Sequence, residues 1–416
     1  MPMVVRKLGL VETQMSLFHA RKGGTTQCMQ VIQLTGSPAA QRLRVAAHWL
    51  FDNFQVLRCT VTKESDGLYF AESARFEDIS VRVTNVTSDV AFELEACVDA
   101  RLNAVLDPGK SLWAVELVQA ADAAYLFLIF HHSIVDAPSL FRIARTVLAV
   151  LDGDDVPSQS VCEAVPESVD QRMPAGQALP VAPGNTLGYA QNAPLDARRS
   201  RSILTSLSLE TSIAVRDFCR RTDIQSNSFL AAATAIEFQR VTGIADPIEI
   251  KSAVSLRDGL VPISSRTALA CYIATASARL HCTPGDPVRI ARDYQAQMYR
   301  DVLTNAIKRT EFTLSRMDTA ISSVDSAGRF VHGIGLTNLG EVQIAVAFRN
   351  FRVVNYWGMS NRNAGNGAVV VTALELAGRF AFSFVWVDPL IDSSTIRTFV
   401  RNFDSRLKGC LDGNGG

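Results

Sequence analysis

Apolar positions cluster most tightly between Tyr125 and Phe130, where six consecutive large apolar residues predict a strand covered on both faces. The run ends in His131-His132-Ser133-Ile134-Val135-Asp136, and Ala137-Pro138 follow. Pro138 suits the first turn of a helix, and Asp136 stands where an N-cap stands. Leu140, Ile143, Ala144, Val147, Leu148 and Leu151 then recur at helical spacing. His131 and His132 therefore leave a buried strand just before a helix, a position from which a fixed scaffold presents reactive side chains. Neighbouring strand residues point to opposite faces, so one histidine faces a cleft and the other the packing. Alternation alone does not say which.

The same reading covers the rest of the chain. Val4–Leu17 predicts a short strand or loop leading into a helix, and Met29–Leu34 alternates like a strand. A helix is predicted from about Pro38 to Asn53, with Leu43, Ala46, Ala47 and Leu50 on one face. Asp66-Gly67 marks a hairpin between Val56–Lys63 and Leu68–Ala71. A helix from about Phe92 to Leu106 precedes strands Ala114–Gln119 and Ala124–Phe130, which turn at Ala121-Asp122. Residues 153–199 lose periodicity and gain proline, so they are expected to link two domains, 1–152 and 200–416. The second domain should begin with a strand, Arg201–Leu209, and a helix started by Ser208 or Glu210. There follow a helix Ser228–Thr242, strands Ile248–Val254 and Tyr272–Leu280, and a helix from Pro287 to about Leu303. Gly333–Gly340 reads as a glycine-rich turn before a strand at Val342–Phe348. Val369–Leu376 and Phe380–Val387 pair across Ala377-Gly378, and a helix capped at Asp392 runs to about Leu411.

Composition narrows the partners. The 416 residues are 48% apolar, with 41 basic and 41 acidic side chains, which leaves no electrostatic reason to expect nucleic acid. No apolar run reaches the roughly 18–20 residues of a membrane helix, and the N-terminus lacks a signal-peptide pattern. Eight scattered cysteines without a CxxC pair fit reduced thiols, hence a cytoplasmic location.

An imidazole titrates near neutral pH and can take and return a proton, which makes the histidine pair a candidate for general acid–base work. Two other readings stand beside it. The pair could supply two ligands of a metal site, although no further histidine or cysteine pair has zinc-like spacing. Asp136 could be a plain N-cap.

The segment His131–Asp136 resembles the His-His-x-x-x-Asp-Gly motif of condensation-domain and related acyltransferases, with Ala137 in place of the glycine. Asn53-Phe54-Gln-Val-Leu-Arg58 is similar to that superfamily's His-Pro-x-Leu-Arg stretch, and Ser111-Leu-Trp113 to its Pro-Leu-Trp. The resemblance implies an α/β fold of two chloramphenicol-acetyltransferase-like subdomains, a pseudo-dimer with a central tunnel. It implies a monomeric, free-standing enzyme that moves an acyl group from a phosphopantetheine thioester, on a carrier protein or coenzyme A, to a hydroxyl acceptor or, as second choice, an amine. His132 would be the general base and His131 would pack. Asp136 would pair with Arg257, with Arg266 as the fallback. Thr337 and Asn338 in Gly333–Gly340 resemble a Ser-Asn-x-Gly segment and would donate to an oxyanion. No metal and no tightly bound cofactor is implied. Some members of the superfamily keep the fold as docking platforms without the reaction, so that class stays open.

Overall fold

The computed structural model describes residues 3–86, 93–120, 123–158, 161–172, 187–260, 267–283, 285–301 and 328–411. The expected turn at Ala121-Asp122, the fallback Arg266 and the central part of the expected linker lie outside the described residues.

In chain order the elements are β1 (Met3–Lys7), α1 (Leu10–Arg21), β2 (Cys28–Gly36), α2 (Leu43–Asn53), β3 (Cys59–Glu64), β4 (Gly67–Glu72), β5 (Ser80–Asn85) and α3 (Leu94–Leu102). Then come β6 (Trp113–Gln119), β7 (Ala124–Phe130), α4 (Ala137–Leu151), the single turn α5 (Val169–Arg172), β8 (Arg199–Ser206), α6 (Leu209–Thr222) and α7 (Ser226–Thr242). The chain continues through β9 (Ile248–Ser255), β10 (Ile273–Leu280), α8 (Pro287–Asp301), β11 (His332–Glu341), β12 (Phe351–Ser360), β13 (Gly367–Leu376), β14 (Arg379–Asp388) and α9 (Ser393–Leu411). Among the described residues no helix is long and apolar enough to cross a membrane.

These elements form two compact units. Unit 1 comprises Met1–Met173, Leu256–Ile273 and Glu341–Asn361; unit 2 comprises Pro174–Ser255, Ala274–Gly340 and Arg362–Gly416. The units are thus interleaved along the chain, where the sequence suggested two consecutive halves. Leu256–Ile273 and Glu341–Asn361, from the second half, pack in unit 1.

Unit 1 holds a five-stranded sheet in the order β12-β2-β7-β6-β5 and a smaller sheet, β1-β4-β3. The all-apolar β7 takes the central place, and every one of its residues is buried. It runs antiparallel to β2 and β6, while β5 joins β6 in parallel. Phe130 stacks on Trp113 across the β6–β7 pair, ring centroids 5.9 Å apart. α4 buries Leu140, Ile143, Ala144, Val147, Leu148 and Leu151, the stripe that helical spacing marks. Unit 2 holds a six-stranded sheet, β10-β9-β11-β13-β14-β8. Its α7 is buried on nearly all sides from Ser228 to Phe238, which its four alanines allow.

Beyond β5 and the single turn α5, which the sequence reading did not include, three stretches differ from it. Gln55–Arg58 is a 3-10 turn, so the strand expected from Val56 starts at Cys59. The glycine-rich stretch is no turn but β11 itself, and Gly335 lets Val370 approach so closely that a Cβ there would sit 2.9 Å from its Cγ2. Val342–Phe348 alternates in burial as a strand would, yet among the described residues it forms only an isolated bridge, Ala347 to Arg352. The true strand is β12, which pairs with β2 along its whole length. A register shift between Val353 and Asn355 breaks its two-residue period, and that hid it.

Candidate active site

β7 delivers the histidines by ending. Its last ladder partner, Phe130, pairs with Cys28 and Trp113, and the His131 N–H still donates to Leu112 O at 2.8 Å. The chain then turns, with Ile134 N–H donating to His131 O at 3.3 Å, and Asp136 caps α4.

The two histidines differ sharply. His131 is 0% exposed, whereas His132 is half-buried. The Ser133 N–H donates to His131 Nδ1 at 3.2 Å, and the Ser133 hydroxyl lies 2.7 Å from the same nitrogen. A backbone N–H can only donate, so Nδ1 is an acceptor and the neutral ring carries its proton on Nε2. That Nε2 is buried without a hydrogen-bond partner among the described residues. The His19 ring lies 4.5 Å away, centroid to centroid, and its own Nε2 donates to Leu106 O at 2.9 Å. Burial, then the neighbouring His19 and His132, hold His131 well below the ordinary imidazole range. His131 is therefore a neutral packing group. His132 Nδ1 lies 3.7 Å from the Cys271 thiol.

Asp136 serves two roles at once. Its Oδ1 accepts from the Ser139 N–H at 3.2 Å and from the Ser139 hydroxyl at 2.9 Å, which caps α4. Arg257 donates to both oxygens, Nη2 to Oδ1 at 2.6 Å and Nε to Oδ2 at 2.8 Å. This is the bidentate geometry that gives a guanidinium–carboxylate pair its strength. Asp136 and Arg257 are 2% and 5% exposed. The pair is further tied down: Tyr272 N–H donates to Asp136 Oδ2 at 3.2 Å, and Arg257 Nη2 donates to Ser139 Oγ at 2.7 Å and Ala268 O at 2.9 Å. The Tyr272 ring lies 5.2 Å from the guanidinium carbon. The cap reading and the ion-pair reading of Asp136 are not alternatives.

The structure thus brings His131, His132, Asp136 and Arg257 together in unit 1. Thr337 and Asn338 belong to β11 in unit 2, where Asn338 Oδ1 accepts the Gly340 N–H at 3.0 Å. Among the described residues no group of three or more His, Cys, Asp or Glu side chains is placed to hold a metal ion. Sequence reasoning missed Ser133, Ser139, His19, Cys271 and Tyr272. Ser139, three residues past the cap, was within reach of capping rules; nothing local marks the others.

No family model matches the sequence, and no curated protein sequence matches it. Solved structures do. Polyketide synthase associated protein 5 from Mycobacterium tuberculosis superposes with a TM-score of 0.70 at 17% identity, over 98% of this chain and 98% of that one. TRI3 trichothecene 15-O-acetyltransferase from Fusarium sporotrichioides gives 0.74 at 11% identity, over 98% and 94%. The first condensation domain of the CDA synthetase gives 0.66 at 13% identity, over 99% and 97%. The fold is that of the condensation-domain, chloramphenicol-acetyltransferase-like proteins. In that fold, the β7–α4 junction of this chain presents one buried neutral histidine and one accessible histidine, with the loop fastened by a buried ion pair.

Proposed function

We propose that this protein is an acyltransferase that moves an acyl group from a phosphopantetheine thioester to an acceptor hydroxyl, with His132 as general base. The observation that carries the reading is the contrast within the histidine pair. His131 is sealed in the core and neutral, which leaves the half-buried His132 as the ring of the pair that can meet a substrate. The shared fold with an O-acetyltransferase and a condensation domain supports the class of reaction.

His132 takes the proton of the acceptor O–H as that oxygen attacks the thioester carbonyl. The carbon–sulfur bond then breaks, and the imidazolium returns the proton to the departing thiolate. An ester and a free thiol result, and no acyl-enzyme is needed, because the acceptor is itself the nucleophile. Positioning donor and acceptor together supplies much of the rate. The donor is an acyl or peptidyl carrier protein, with coenzyme A esters as poorer surrogates. An amine acceptor, giving an amide, follows the same proton path.

Intact-mass analysis of acyl-loaded carrier proteins and acyl coenzyme A esters, incubated with the protein and a panel of alcohols and amines, tests the reading. Loss of the acyl group from the carrier with matching gain on an alcohol is expected. His132→Ala should lower turnover by ~10²–10⁴-fold while leaving the melting temperature nearly unchanged. A variant that keeps most of its turnover removes His132 from the mechanism. Carrier binding without turnover across the whole panel would favour a docking role.

A further inference from the structure

The buried pair Asp136–Arg257 is linked through the backbone to the surroundings of His132. The segment Ala268–Tyr272 supplies the connection. Ala270 N–H donates to Ser139 Oγ at 3.1 Å, Tyr272 N–H donates to Asp136 Oδ2 at 3.2 Å, and Arg257 donates to Ala268 O at 2.9 Å and Ala270 O at 3.3 Å. Leu256 N–H donates to Tyr272 O at 2.9 Å. Both residues flanking Cys271 are therefore fastened to the ion pair or to its serine. Cys271, fixed between them and 1% exposed, places its sulfur 3.7 Å from His132 Nδ1.

We propose that Cys271 is a positioning residue for His132: its sulfur accepts the Nδ1–H bond and so holds the lone pair on Nε2. The proposal rests on the reading of His132 as the base. Two arguments support the direction of this bond. A base that picks up a proton becomes an imidazolium with N–H on both nitrogens, so the group facing Nδ1 must accept in both states. A thiol sulfur does so, whereas a partner that had to donate would be expelled at each proton transfer. The thiol also stays protonated and uncharged. Burial, then the charges of Asp136 and Glu12 and the neighbouring Cys28, push it well above its ordinary range against the opposing pull of Arg257. A neutral sulfur acceptor fixes the ring without stabilising the imidazolium strongly, as an acidic partner would, so His132 remains able to return the proton.

In this arrangement Asp136 and Arg257 act on the reaction through position. They hold the backbone of Ala270 and Tyr272, the backbone holds Cys271, and Cys271 selects the tautomer of His132.

Two-bond ¹H–¹⁵N spectra of protein labelled in histidine test this in the absence of substrate, with His132 signals assigned by their loss in His132→Ala. The wild type should show a pyrrole-like Nδ1 and a pyridine-like Nε2 for neutral His132. Cys271→Ala should mix the two tautomers and lower kcat by about five- to tenfold, the size of one modest hydrogen bond, with KM little changed. Cys271→Ser, which retains an acceptor, should keep the wild-type tautomer and most of the rate. A pyridine-like Nδ1 in the wild type overturns the proposal, as does an unchanged tautomer in Cys271→Ala. The spectra need no turnover. A correct tautomer combined with a fully active His132→Ala would therefore defeat the assignment of His132 as base alone.

Discussion

Removing either partner of the Asp136–Arg257 pair should be costly, and removing both should cost less than the sum. Asp136→Ala strips Arg257 of two charge-assisted bonds at 2.6 and 2.8 Å in a site where its side chain is 6% exposed. Stranding a buried charge costs roughly 3–5 kcal/mol, and losing the α4 cap adds about 1 kcal/mol. Arg257→Ala keeps the α4 cap, because the Ser139 N–H, the Ser139 hydroxyl and the Tyr272 N–H still donate to the carboxylate. Its loss should lie at the low end, about 3 kcal/mol. In the double variant no unpaired charge remains, so a coupling of about 2–3 kcal/mol should appear between the two substitutions. The measurement is guanidinium unfolding at pH 7 followed by tryptophan emission. Three of the four tryptophans, Trp49, Trp113 and Trp357, lie in unit 1 with the pair, so the signal reports chiefly on that unit. Losses that add within about 0.5 kcal/mol would refute the argument and leave Asp136 as a cap beside an independent arginine.

Three further expectations stand beside it. The kcat/KM for one acyl group should be higher on a carrier protein than on coenzyme A, and equal or better use of the coenzyme A ester would reject the carrier as the natural donor. Burial keeps His131 neutral in the folded state, so below about pH 6.5 the unfolded chain takes up a proton that the folded chain refuses. The stability this group contributes is therefore complete above that pH and is lost as pH falls toward the depressed folded value. It amounts to as much as ~1.4 kcal/mol per pH unit, and His131→Asn should flatten the fall in stability between pH 7 and pH 5; an identical slope in the two proteins would contradict this. Gly36 has φ of +106°, and a Cβ there would lie 2.6 Å from Asn350 O, whereas Gly153, at φ of +97°, has nothing within 4 Å among the described residues. Gly36→Ala should accordingly lower the melting temperature more than Gly153→Ala, each carrying the strain of about 1–3 kcal/mol that such a backbone imposes, and equal losses would show that the β2–β12 edge yields freely.

The local signals in this sequence were strong where one physical cause acted over a short span. The apolar run Tyr125–Phe130 could only be buried on both faces, and it became the centre of the five-stranded sheet. Asp136 and Pro138 started α4 at Ala137, and Ala377-Gly378, both at positive φ, turned β13 into β14. The resemblance around His131–Asp136 pointed to the fold that the solved structures share. Burial and pairing across long separations were decided elsewhere. Alternation could not say that His131, and not His132, goes inward; Ser133, His19 and the strand end settle it. β12 was invisible because a register shift breaks its period, and its partner β2 lies more than 300 residues earlier in the chain. Cys271 meets His132 across a separation of 139 residues. Such contacts depend on which segments fill the remaining surface of a growing sheet, and no single stretch of sequence carries that information. Propensity and capping energies are properties of a few neighbouring residues, whereas the site's ion pair and its thiol exist only because interleaved segments of the chain share one core.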